Sequence, residues 1–277
     1  MDIFVVILII LGAFALIFAA FLFMIAPNKK RDLSALTSNI YAHRGLHTSN
    51  RILPENSLPA FAAAKKYGCG VELDVRLTQD KKLLVFHDDN FKRMCGNPRA
   101  VAGTPYSIIS ELRLLSSDYA PPLLEDVLRV LNGTPVICEI KVPNSHRFDT
   151  AVCEKVCELI DSYPGDVFIE SFNPFVLQWF KKNRPEIIRG QLSMYFTKKN
   201  SDLPFFARFA ARSLLTNFLT RPDFIAYRYS DDKTPAFSLC RKIFSPVCVA
   251  WTVKSARAAE YSKRSFSTVI FEGFLPK

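Results

Sequence analysis

The chain has 277 residues, 49% of them hydrophobic and 22% charged, with a formal net charge of +10. That is apolar enough for a substantial core in one large domain or two small ones. The basic balance points to anionic partners such as phosphates or lipid headgroups, but the basic residues are scattered, which argues against a nucleic-acid module. Seven cysteines, an odd number without a CxxC pair, argue against a disulfide framework and fit free thiols in a reducing compartment.

Residues 3–26 contain no charge. As a helix they would span about 36 Å, enough to cross a bilayer. Asp2 precedes the run and Lys29-Lys30-Arg31 follows it, whereas a cleaved signal peptide has a basic start and a shorter apolar core. The expectation is one uncleaved transmembrane helix, a linker over residues 27–38, and a single domain over residues 39–277 on the cytoplasmic side, as the positive-inside rule predicts.

Residues 39–43 read as a short strand ending at His43-Arg44-Gly45. Ser57 can cap a helix that runs to Tyr67 and is closed by Gly68. The stretch VELDVRLTQDKKLLVFHD, residues 71–88, follows as two strands around a polar turn. Residues 90–120 have little periodicity and read as an insertion with one helical turn. From Pro122 helices and strands alternate: strands at 136–141, 167–171, 188–193, 224–227, 247–252 and 268–271, helices at 123–131, 148–162, 174–183, 203–219, 235–242 and 256–263. Eight main strands alternating with helices predict a TIM (β/α)8 barrel with a small insertion after strand 2. No helical pattern follows the last strand, which keeps a doubly wound open sheet as the alternative.

Active groups of such a barrel gather at the C-terminal strand ends. In a strand, residues two apart point to one side, so Glu72 and Asp74 project together, as do Glu139 and Lys141. Parallel carboxylates repel unless a cation lies between them, and oxygen ligands suit Mg²⁺ or Ca²⁺. His43 ends the first strand and His87 the hairpin, where imidazoles can move protons. Individually each has a plainer reading: an ion pair for Glu139 and Lys141, core packing for Trp251. Three acids, two histidines, an arginine and a lysine converging on one face are better explained by chemistry.

The ordered fragments His43-Arg44-Gly45, Pro54-Glu55-Asn56-Ser57, Glu72-Leu73-Asp74-Val75, His87-Asp88, Pro122-Leu123-Leu124-Glu125, Glu139-Ile140-Lys141, Ser171-Phe172 and Trp251-Thr252-Val253 resemble the glycerophosphodiester phosphodiesterases over residues 39–272. The resemblance implies a TIM barrel that hydrolyses glycerophosphodiesters to glycerol 3-phosphate and an alcohol. It implies Glu72, Asp74 and Glu139 as ligands of a divalent cation, Mg²⁺ or Ca²⁺. It implies His43 and His87 as the acid/base pair, and Arg44 and Lys141 as phosphate binders, with Trp251 beside them in the substrate-binding set. Three positions depart from the family pattern: Ser57 replaces threonine, Lys254 replaces asparagine, and Phe271-Glu272-Gly273-Phe274 replaces Thr-Asp-Tyr-Pro, the last two bearing on headgroup recognition. A lysophospholipase D acting on membrane lysophospholipids is the neighbouring expectation. A non-catalytic phosphate- or lipid-binding protein is disfavoured because every reactive residue is present.

Overall fold

Eight parallel strands close into a ring in this computed structural model, which describes residues 2–28, 31–48, 52–142 and 147–276. The strands are β1 (Tyr41–His43), β2 (Gly70–Leu77), β4 (Val136–Ile140), β5 (Val167–Ser171), β6 (Arg189–Ser193), β7 (Phe224–Arg228), β8 (Val247–Val253) and β9 (Thr268–Phe271). Strand β1 pairs with β2 on one side and with β9 on the other, so the sheet is a barrel rather than the open alternative. Strand β3 (Leu83–Val85) lies outside the ring and pairs antiparallel with the far end of β2.

The helices are α1 (Ile3–Ile25), α2 (Ser34–Thr37), α3 (Leu58–Tyr67), α4 (Lys92–Cys95), α5 (Tyr106–Ile109), α6 (Leu124–Leu131), α7 (Ala151–Ile160), α8 (Pro174–Asn183), α9 (Phe205–Arg212), α10 (Asn217–Thr220), α11 (Pro235–Phe244) and α12 (Ala256–Ser262). Local signals set several ends. Ser57 accepts from the Ala60 amide at the start of α3, and Gly68 closes that helix in the left-handed conformation. Pro174 opens α8 and Pro235 opens α11, where a missing amide costs no helical bond.

The two-residue period of the strands builds the interior. The floor is apolar: Tyr41, Ile137, Phe168, Phe224, Val249 and Ile270 are buried in one cluster with Leu33 and Leu36 from the segment around α2. The stretch read as a linker therefore contributes to this floor, and the Tyr41 hydroxyl donates to the Leu36 carbonyl at 3.0 Å. Gly190 occupies an inner position where a Cβ would come within 2.2 Å of the Phe224 ring. Two residues beyond five of these six strand positions, His43, Glu139, Glu170, Trp251 and Glu272 carry the interior upward, while Phe224 is followed by the apolar Ala226. The outward residues Val71, Leu73, Val75, Cys138 and Ile140 pack with α3, α6 and α7 through Phe61, Val127, Leu131 and Val156.

The insertion has a small core of its own, made by Leu84, Phe86, Phe91, Met94, Val101, Ile109 and Leu114. The single helix expected over residues 203–219 is instead two pieces, α9 and α10. Leu214 turns inward at a φ of 57° to bury itself beside Ile25, a tertiary demand that overrides the helical pattern. All seven cysteines are free thiols, six of them buried and Cys95 partly so.

Helix α1 is apolar and uncharged along its 23 residues, and only its last residue, Ile25, is buried. Its end docks on the barrel. Asn217 donates to the Ile25 carbonyl at 2.8 Å, and Arg221 donates to the carbonyls of Phe23 and Ala26 at 3.0 and 2.8 Å. These donors satisfy carbonyls that a helix end leaves without partners.

Replacing Gly190 by alanine should cost about 1–3 kcal/mol, because the added methyl meets the buried Phe224 ring. Urea unfolding should show a lower midpoint with an unchanged slope; an unchanged midpoint would mean that the floor has room to spare.

Candidate active site

Strand register assembles the charged layer. His43 is aligned with Glu72, Asp74 with Glu139, and Glu139 with Glu170 across neighbouring parallel strands. Neighbouring residues in register point to one side, so the acids converge inside the top of the barrel. All four carboxylates are buried. Burial and its acidic neighbours push Glu72 well above the usual carboxylate range, and burial with Glu139 beside it does the same to Glu170. Burial also opposes ionisation of Asp74, but Lys141 and Arg44 outweigh it and hold that carboxyl far below its ordinary value.

Two cations partly balance this charge. The Lys141 ammonium donates to Glu139 Oε1 at 2.8 Å and lies 3.2 Å from Asp74 Oδ1. The Arg44 guanidinium donates to Glu55 Oε1 at 2.7 Å and lies 3.4 Å from Asp74 Oδ2, while its backbone amide donates to Glu72 Oε2 at 3.1 Å. Arg44 adopts φ 55° and Gly45 φ 80° in the turn after β1. A Cβ on Gly45 would meet Ala60 at 2.9 Å, so only glycine lets the turn pack this closely on α3.

Each histidine is held at Nδ1 by a carboxylate. His43 Nδ1 is 2.7 Å from Glu272 Oε2, and its Nε2 is 3.9 Å from Glu72 Oε2. His87 Nδ1 is 2.7 Å from Asp88 Oδ1. Burial holds His43 below its ordinary value against the pull of Glu272, and brings His87 down to about 4. Burial thus favours the neutral rings, and a carboxylate at Nδ1 favours the tautomer with its proton there, which leaves Nε2 as an acceptor. Asp88 is gripped by Arg93, which also pairs with Glu55, linking the insertion to the turn that carries Arg44. Arg76 donates twice to the His87 carbonyl and fixes its backbone.

The structure brings His43, Arg44, Glu72, Asp74, His87, Glu139 and Lys141 into one site. Trp251 packs edge-on against Phe172, ring centroids 5.5 Å apart, with its Nε1 buried and unpartnered among the described residues. A cleft of about 220 Å³ opens beside Glu139 and Lys141, bounded by Arg76, Asp89, Phe172 and Asn173. Reading by residue missed Glu170, whose alternation with Phe168 was available as a signal. It assigned Glu272 no contact with His43, for which no local signal exists.

Two clusters among the described residues have donor atoms close enough to share a metal ion: Glu72, Asp74 and Glu139, and separately His43, His47 and Glu272. In each, the donor atoms lie within 4.8 Å of one another. The all-oxygen set fits a hard divalent cation, since three buried carboxyl groups converge their oxygens on one point.

Residues 43–265 match the model of the glycerophosphoryl diester phosphodiesterase family. A glycerophosphodiester phosphodiesterase of Bacillus altitudinis is 32% identical over 167 residues, covering 57% of this chain and 67% of that protein. The human lysophospholipase D GDPD1 is 29% identical over 147 residues, covering 48% of this chain and 44% of that protein. Among solved structures, the Thermotoga maritima glycerophosphodiester phosphodiesterase superposes with a TM-score of 0.62 at 25% identity, covering 84% of this chain and 94% of that one. A phosphodiesterase of Oleispira antarctica, solved with its product sn-glycerol-3-phosphate, superposes with a TM-score of 0.67 at 21% identity, covering 84% and 92%. With the barrel, the acidic layer and the extent of this match in agreement, the chain belongs to the glycerophosphoryl diester phosphodiesterase family and is a hydrolase of that family.

Proposed function

We propose that this hydrolase cleaves glycerophosphodiesters to glycerol 3-phosphate and an alcohol, with His43 and His87 as its acid/base pair. The observation that carries the assignment is the pair of imidazoles, each fixed at Nδ1 by a carboxylate beside a buried acidic cluster. Glu72, Asp74 and Glu139 would hold Mg²⁺ or Ca²⁺, which when bound supplies charge to polarise a phosphoryl oxygen. Arg44 and Lys141, now engaged by carboxylates, then turn their positive charge to the phosphate. One neutral imidazole takes the proton of the attacking hydroxyl, and the other, neutral in the free enzyme, takes up a proton once the anionic phosphodiester lies beside it and passes that proton to the leaving alkoxide. Trp251, with Phe172, offers an aromatic wall to the substrate.

Membrane lysophospholipids are the second substrate class, and the surface favours them. We read α1 as a single-pass anchor, with the division into anchor, linker and barrel that the sequence suggests and the barrel on the cytoplasmic side. Its length and exposed apolar surface support this, and Arg31 follows it; Lys29 and Lys30 of the basic triplet lie outside the described residues. On α9, Phe205, Phe206 and Phe209 are exposed, Phe206 at 82%, and no residue of that helix is buried. With Arg208 and Arg212 among them, this suits a helix lying on a lipid surface.

Exhaustive chelation should abolish turnover of glycerophosphocholine, and Mg²⁺ or Ca²⁺ should restore it; full activity without metal would sink the metal assignment. At a hundredfold excess over its dissociation constant, the cation should stabilise the fold by about 2.7 kcal/mol, seen as a higher Tm. Glu72→Gln should keep or raise the metal-free Tm, because it removes a buried acid, and should lose the cation-induced rise.

His43→Ala and His87→Ala should each lower kcat about 10²–10⁴-fold with unchanged circular dichroism. A loss below tenfold would remove that residue from its role.

The full chain should stay in the membrane fraction after an alkaline carbonate wash. The double change Phe205→Ser with Phe206→Ser should slow hydrolysis of vesicle-borne lysolipid while sparing water-soluble glycerophosphocholine. Equal loss on both substrates would argue against a lipid-facing α9.

A further inference from the structure

The cluster of His43, His47 and Glu272 differs in chemistry from the acidic site beside it. It offers two imidazole nitrogens and one carboxylate, whereas the acidic site offers oxygen alone. His47 Nε2 is buried with no hydrogen-bond partner among the described residues, although a buried polar atom normally has one. His43 Nδ1 and Glu272 Oε2 are already 2.7 Å apart, and the donor atoms of all three residues lie within 4.8 Å of one another. Glu272 directs its other oxygen to Lys254 Nζ at 2.9 Å, and that lysine is 64% exposed, free to swing into solvent.

We propose that His43, His47 and Glu272 form a second, nitrogen-rich cation site that takes zinc-class divalent ions and switches the enzyme off when filled. Imidazole donors favour zinc, cobalt and nickel over the hard cations that suit the acidic triad. Tetrahedral ligands about 2.0–2.1 Å from zinc lie about 3.3 Å from one another, so the three groups need only small side-chain adjustments to bind it. The consequence for His43 follows from its tautomer. The Glu272 carboxylate 2.7 Å from Nδ1 favours the tautomer with the ring proton there, which leaves the Nε2 lone pair 3.9 Å from Glu72 Oε2. When the metal binds Nδ1, that proton moves to Nε2, with no net proton gained or lost by the ring. A metal-bound imidazole with a protonated Nε2 can no longer accept a proton and gives one up only with difficulty. Lys254 competes with the ion for Glu272 and sets how readily the site fills.

The switch rests on the acid/base role of His43, but the site does not. The test uses the full chain in detergent with Mg²⁺ saturating, titrated with Co²⁺ and then Zn²⁺. Co²⁺ should give a visible d–d absorption band that disappears in His47→Gln. Zn²⁺ should inhibit in a way that excess Mg²⁺ does not relieve. His47→Gln should keep its basal rate while needing at least about tenfold more Zn²⁺, and Lys254→Met should need less than the parent. No band that depends on His47 would overturn the site. Equal zinc sensitivity in His47→Gln, or relief by Mg²⁺, would place the inhibitor on the carboxylates and overturn it too. A His47-dependent band with undiminished turnover would overturn the switch, and with it the role of His43, while leaving the site standing.

Discussion

Negative charge in a dry place is the constraint that shapes this molecule. Glu72, Asp74, Glu139 and Glu170 sit in one buried layer, with Arg44 and Lys141 fixed among them as counter-charges. Burying ions costs several kcal/mol each unless partners and hydrogen bonds compensate. The fold meets part of that cost with an apolar floor, short ion pairs and a raised affinity of Glu72 and Glu170 for protons. A divalent cation among the converging oxygens of Glu72, Asp74 and Glu139 would take the place of those protons. Stability and function draw on the same carboxylates in opposite directions.

The supports around that layer are as specific as the layer itself. His87 is fixed from two sides: Arg76 of β2 takes its carbonyl, and Asp88 takes its ring through a carboxylate that Arg93 of the insertion holds. Arg93 reaches on to Glu55, and Glu55 to Arg44, so a chain of ion pairs runs from the insertion to the turn after β1. His43 has a separate support, Glu272 at the end of β9. Each imidazole thus has its own carboxylate at Nδ1, although Asp74 and Arg44 act on both rings.

Much of this was legible in the sequence because it follows from the two-residue period of a strand. Glu72 with Asp74, and Glu139 with Lys141, could be placed on one face before any coordinates, and the alternation of strands and helices pointed to a barrel. Glu170 was equally readable, since it stands two residues after the inward Phe168, but a single acid in a short strand draws no notice alone. The Glu272 contact was not readable. It joins residues 229 positions apart, and no local pattern sets the register that brings Glu272 beside His43 when the last strand meets the first. The break between α9 and α10 was hidden for a related reason: Leu214 leaves the helix to meet Ile25, and that partner lies far away in the chain.

The pairing of β1 with β9 joins the first strand of the barrel to the last. During synthesis, β1 must wait for nearly the whole domain to emerge before it acquires its second neighbour. The same closing strand delivers Glu272 to His43, so the ring tautomer is chosen only when the cylinder shuts. Until then a nascent chain can carry every other reactive group and still lack a correctly oriented first imidazole. Competence for catalysis is thereby tied to completion of folding, and a half-made barrel is held silent by its own topology.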